Sequence, residues 1–185
     1  YYGKGLTGAH LPFNFALLSA PWHARDIERI IADYEAALPP GAWPNWVLGN
    51  HDRPRVASRV GAEQARVAAM LLLTLRGTPT LYYGDEIGMH QVAIPPEQVR
   101  DPFEKNVPGI GVGRDGCRTP MQWSALPQAG FTQAAPWLPL AGDFTHENVV
   151  NLTADRRSIL NLTRALIRLR KTHRVLVTGS YRPVA

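Results

Sequence analysis

Short apolar runs alternate with helical periods through the first half of the chain, and this alternation restricts the fold more than any other feature. Ala9 to Leu18, AHLPFNFALL, is apolar and aromatic and predicts an irregular strand interrupted by Pro12, whose missing N–H weakens any ladder. From His23 to Leu38 the residues Ile27, Ile30, Ile31, Tyr34 and Leu38 recur at the spacing of a helix with one buried face, and Pro39-Pro40-Gly41 ends it. Asn45 to Gly49 predicts a short strand. Gly61 to Arg76 is rich in Ala, Leu and Met and apolar around most of its circumference, so it predicts a helix buried more deeply than the first. Thr78 to Tyr83, TPTLYY, predicts a third strand. Such an order implies parallel strands covered by helices, either as an open doubly wound α/β sheet or as a closed barrel.

From Asp85 to about Val150 the texture turns to Pro, Gly, Asn and Trp with little periodicity, a loop long enough to suggest function. Its aromatics Phe103, Trp123, Phe131, Trp137 and Phe144 argue that it is ordered. Asp155 to His173 predicts a final helix with Ile159, Leu162, Leu166 and Leu169 as its stripe, while Arg168, Arg170, Lys171 and His173 suit the negative end of its dipole. Val175 to Ala185 predicts the opening of another strand. The domain boundaries that follow are 1–173, including the loop 85–150, and 174–185.

With 45% hydrophobic residues over 185 positions, the chain has enough apolar surface for a core. The excess of 20 Lys and Arg over 15 Asp and Glu, a net +5, would by itself permit a nucleic-acid partner. The basic residues are scattered and never run beyond two, without the stripe that a phosphate backbone requires, so no nucleic-acid partner is expected. Cys117 is the only cysteine, which excludes an internal disulfide and a cysteine-pair metal site and fits a reducing, cytoplasmic location. The longest apolar stretch, Ala65 to Leu75, is too short for a membrane span.

Parallel strands deliver the residues at their C-terminal ends to one face, where loops build a site. Asn50-His51-Asp52 follows the second strand and Gly84-Asp85-Glu86 the third, so carboxylates from successive strands are expected at one mouth. A plainer reading stands beside this one. Asp52 in that position also suits a buried pair with Arg53 or Arg55, or a helix cap; a lone His51 is most often a satisfied structural residue, and Glu86 a packing carboxylate. The segment GVGRDG, Gly111 to Gly116, satisfies a dinucleotide fingerprint in letters only, because no strand precedes it and Thr119-Pro120 follows it. GNHD also occurs in metallophosphoesterases. Those enzymes need a Gly-Asp pair upstream, which is absent before Gly49, and a Gly-His-x-His downstream, whereas His90, His146 and His173 are isolated.

Three blocks in order, GNHDRPRVASRVG (Gly49 to Gly61), GTPTLYYGDEIGM (Gly77 to Met89) and GRDGCRTPMQW (Gly113 to Trp123), resemble the α-amylase superfamily, glycoside hydrolase family 13, in its α-glucosidase and oligo-1,6-glucosidase branch. The flanks YYGKGLTGAHLPFNF and SILNLTRALIRLRKTH extend the resemblance over the whole chain. It implies the C-terminal part of a (β/α)8 TIM barrel, about strands six to eight, followed by the start of a C-terminal β-domain. By the same match, Asp52 is the third catalytic carboxylate, which holds the ring hydroxyls of the sugar. His51 donates to that sugar and Arg118 helps to bind it, while Asp85, Glu86 and Arg114 support the packing.

The implied activity is retaining hydrolysis of short α-glucosides of the maltose, isomaltose or sucrose type, the partner being a disaccharide or small oligosaccharide, with no cofactor and no metal among the visible residues. The nucleophilic Asp and the acid/base Glu of the family belong to earlier strands, so the resemblance implies a C-terminal portion that is inactive alone. Two other activities fit the same resemblance: transglycosylation or sucrose isomerisation, and a non-catalytic barrel serving as a transporter partner subunit. The intact His51-Asp52 and Arg118 speak against the last.

Overall fold

The computed structural model describes residues 1–184. Its centre is a pair of parallel strands, β1 (Asn45–Val47) and β2 (Thr78–Thr80), in register Asn45 with Thr78, Trp46 with Pro79 and Val47 with Thr80. All three β1 residues are buried, as expected of a strand covered on both faces. Trp46 is the pivot. Fully buried, it donates its indole N–H to the Arg76 carbonyl at 2.8 Å and meets the Tyr34 ring edge-on, with centroids 5.3 Å apart.

Three helices cover the strands. α1 (Ala24–Ala37) turns Ile27 and Ile31 onto Leu17, Trp46 and Leu48, following the predicted stripe. The parallel pairing of β1 and β2 requires a crossover, supplied by α2 (Val56–Val60) and α3 (Ala62–Thr74). α3 buries Ala65, Ala68, Leu72 and Leu73, more than α1 does, yet Val67 and Met70 on its other side remain open to solvent.

The loop that follows is held by buried polar side chains rather than by its aromatics. Phe103, Trp123, Phe131 and Trp137 are each about half exposed, whereas Asp101, Asp115, Thr119, Gln122 and Asn148 are buried. Two of these start short helices: Asp101 accepts from Phe103 N–H at the head of α4 (Pro102–Asn106), and Asn148 accepts from Asn151 N–H at the head of α5 (Val149–Ala154). Ser158 caps α6 (Ile159–Thr172) in the same way. A satisfied cap replaces the partners that the first N–H groups of a helix lack, so short irregular segments gain order from such residues.

Several expectations are corrected. The run 9–18 is no strand: it makes one parallel bridge, Asn14 to Trp46, and Ala16–Leu18 turns as a 3-10 helix. Phe13 and Phe15 stack on each other with centroids 5.6 Å apart and face outward. On α6 the stripe is rotated: Leu160, Thr163, Leu166 and Arg170 are buried and Leu169 is 43% exposed. Arg170 therefore does not serve the helix dipole in solvent. It reaches under α3 to donate to the carbonyls of Leu73, Leu75, Gly77 and Leu176. The expected strand at Val175 is α7 (Val175–Thr178), one helical turn whose Val177 carbonyl accepts from Gly77 N–H at 2.9 Å; residue 185 lies outside the described residues. The main-chain bond from Gly77, just before β2, and the Arg170 side chain on the Leu176 carbonyl tie this segment to the rest of the chain.

Candidate functional site

β1 ends at Val47, and within five residues the chain turns to present His51 and Asp52. The turn is made locally: Asn50 Oδ1 accepts from Asp52 N–H at 3.0 Å, an Asx turn. Gly49 leaves room there for the Asp85 carboxylate, which a Cβ at this position would force to shift. β2 ends at Thr80, and its two following tyrosines reach across to the loop, Tyr82 hydroxyl to the Cys117 carbonyl at 3.0 Å and Tyr83 hydroxyl to the Thr119 carbonyl at 2.7 Å. Those two bonds bring the segment carrying Arg118 over the end of β1.

The result is a cluster around one carboxylate oxygen. Asp52 Oδ1 accepts from Arg118 Nη2 at 3.0 Å and Arg114 Nη1 at 3.3 Å, and lies 3.4 Å from His51 Nε2. Arg118 is also anchored through Nε to the His51 carbonyl at 2.8 Å. The Asp52 side chain is 43% exposed, and among the described residues its side-chain contacts all fall on Oδ1. Oδ2 is thus left to accept from a ligand hydroxyl, with two guanidiniums and an imidazole around the same opening.

The structure therefore brings together the three residues that the sequence singled out, His51, Asp52 and Arg118. It does not bring Asp85 and Glu86 to the same opening. Asp85 turns inward beneath Gly49, where its Oδ1 is buried with no hydrogen-bond partner among the described residues, and burial pushes its carboxyl up to about 7 against the opposing pull of Arg55 and Arg59. Beside it Arg55 is buried at 1% exposure, donating to the Tyr83 carbonyl at 2.6 Å with its guanidinium 4.7 Å from the Tyr83 ring centre. Asp85 and Arg55 are packing residues that shape the floor.

Arg114 is the residue the sequence reading undervalued. Expected only to support packing, it touches Asp52 directly, and it does so from inside the discounted GVGRDG segment. Behind it stands Asp101, to which no sequence signal pointed. Charge-assisted hydrogen bonds from Arg114 hold the Asp101 carboxyl well below the usual carboxylate range and in turn raise the guanidinium. Only the paired placement of Asp101 and Arg114 in one loop connects them, which no motif or period records.

Among the described residues no group of three or more His, Cys, Asp and Glu side chains converges to hold a metal, and no helix is long and apolar enough to cross a membrane.

Parallel strands with a carboxylate, an imidazole and two guanidiniums gathered beyond their C-terminal ends are the arrangement of a wound α/β fold, whose loops build a site at that end. Residues 9–179 match the alpha amylase catalytic domain, and the chain belongs to that family of (β/α)8 barrels, part of whose architecture it carries. Maltase A1 of Drosophila melanogaster is 40% identical over 179 residues, covering 92% of this chain and 31% of the relative. Oligo-1,6-glucosidase of Parageobacillus thermoglucosidasius is 34% identical over 185 residues, covering 87% and 33%. Among solved structures, the alpha-glucosyl transfer enzyme XgtA superposes with a TM-score of 0.84 at 37% identity, over 90% of this chain and 32% of that one. The chain thus spans about a third of the length of the relatives it matches.

Proposed function

We propose that this chain contributes the sugar-holding part of a retaining α-glucosidase acting on short α-glucosides of the maltose, isomaltose or sucrose type. One observation carries the reading: Asp52 is held by Arg114 and Arg118 through Oδ1 alone, with Oδ2 left to the opening. Cleavage of a glycosidic bond passes through an oxocarbenium-like state, and hydrogen bonds to the ring hydroxyls that tighten there lower the barrier. A carboxylate fixed by one oxygen and offering the other suits that task. His51 and Arg118 add donors to the same sugar, and the segments correspond to barrel strands six to eight. The nucleophile and the acid/base, a carboxyl pair about 5 Å apart in retaining enzymes, are assigned to segments outside this chain. The buried, single Cys117 fits a cytoplasmic setting.

The likeness to a glucosyl-transfer enzyme supports a second reading of the same site, in which a sugar hydroxyl replaces water as the acceptor. Product analysis on concentrated maltose separates the two, since transfer yields longer saccharides and hydrolysis yields glucose.

The role of Asp52 is tested by Asp52→Asn in the intact protein. Turnover of maltose and isomaltose is expected to fall by about 10²- to 10⁴-fold in kcat with the fold retained by circular dichroism. An unchanged kcat would remove Asp52 from the mechanism.

A further inference from the structure

Behind the cluster at Asp52 lies a second, drier one. The Asp101 side chain is fully buried, and its two oxygens take both Nε and Nη2 of Arg114, each at 2.7 Å, as well as Arg114 N–H at 2.8 Å and Phe103 N–H at 3.1 Å. The backbone under Asp101 is itself fixed, because Asp115 Oδ2 accepts the N–H groups of Arg100 at 2.5 Å and Asp101 at 2.8 Å. On its flat side the guanidinium lies 4.7 Å from the centre of the Phe103 ring. A planar group held by two parallel bonds and one stacked ring keeps little rotational freedom. Of its side-chain nitrogens only Nη1 is left over, and Nη1 is the atom that meets Asp52 Oδ1.

A buried pair of this kind is a poor source of stability, since desolvating both charges offsets their attraction. Its geometric effect is larger: it turns a flexible arginine into a fixed donor aimed at one oxygen of one carboxylate. We propose that Asp101 is a positioning residue for the reaction at Asp52, acting through Arg114 with Phe103 as the clamp on the second face. The proposal rests on the glucosidase reading above. With Arg114 loose, Arg118 is the one arginine still bonded to Asp52 Oδ1, a single pivot about which the carboxylate can turn and misplace the oxygen that grips the sugar; misplacements of about 1 Å cost on the order of 10²-fold in rate.

The test uses the intact protein and two variants, Asp101→Asn and Phe103→Ala, with kcat and KM measured separately on maltose and isomaltose. Asp101→Asn is expected to lower kcat by about 10- to 100-fold with KM within about threefold. Phe103 is 56% exposed, so its truncation leaves the fold standing even where Asp101→Asn does not, and it is expected to lower kcat by about three- to tenfold. In an Asp52→Asn background neither change should lower kcat further, because a residue that acts only through Asp52 has nothing left to position. Undiminished kcat in both variants, a rise in KM alone, or the same fold-loss on top of Asp52→Asn would each overturn the proposal while leaving the glucosidase reading intact. An unsubstituted protein that turns over neither of these sugars nor sucrose would overturn that reading, and the proposal with it.

Discussion

Asp85 carries a carboxyl shifted well above its ordinary range while its chemistry stays out of the opening. Its carboxyl is raised to about 7 by burial, so the folded protein binds a proton that the unfolded chain gives up near its ordinary value of 3.8. The folded state holds more protons than the unfolded state between those two values, and stability is lost as pH rises through them, levelling above about pH 7. Asp85→Asn removes the titrating group, and the intact protein should then lose less stability between pH 4 and 8, with a gain at pH 8 on the order of a few kcal/mol. Urea melts at both ends of that range decide it: parallel pH dependence in the two proteins would refute the assignment. The same contrast explains what could be seen in the letters. His51, Asp52 and Arg118 stand in motifs whose residue types announce chemistry, while Asp85 reads as one more acid after a strand until its place beneath Gly49 shows which way it faces. Arg114 and Asp101 are 13 positions apart in a loop without periodicity, and their shared hydrogen bonds exist only once that loop is folded.

Helices were legible where their period was long enough to repeat. α1, α3 and α6 run 14, 13 and 14 residues and lie within the spans that spacing predicts. Three-residue strands and the five-residue α2 offer no period to count, and they exist because neighbours complete their hydrogen bonds. The clearest failure is also the most instructive: Arg170 sits in a basic last turn that looks like a solvated helix end, yet it closes the carbonyls at the end of α3, at Gly77 before β2 and in α7. Those carbonyls belong to residues that could not be known to approach it. Replacing Arg170 by Met keeps much of the stem and removes the donors, leaving carbonyl groups that burial has cut off from water. A loss of roughly 2–4 kcal/mol follows from unsatisfied buried groups of this kind. A denaturant midpoint unmoved by the substitution would show that water takes the place of the guanidinium.

At the scale of the whole chain, the strands among the described residues are too few to close on themselves. β1 and β2 form a two-stranded sheet, Asn14 adds one bridge at its far side, and aromatic side chains at Phe13, Phe15, Trp123 and Trp137 stand open around it. Two strands with exposed edges are marginal alone. The 185-residue chain by itself is therefore expected to show no turnover of maltose or isomaltose, as measured by glucose release from the purified chain; release above background would mean that a complete site forms without further segments. The fold class, the three long helices and the trio His51, Asp52 and Arg118 follow from order, period and motif, because those signals are local and survive in a string of letters. The aim of Asp52, with Oδ1 held by Arg114 and Arg118 and Oδ2 left to the opening, depends on contacts spanning more than sixty positions. Such contacts arise only when β2 and its tyrosines carry the loop across the end of β1, so the residue types were readable and their arrangement was set by packing.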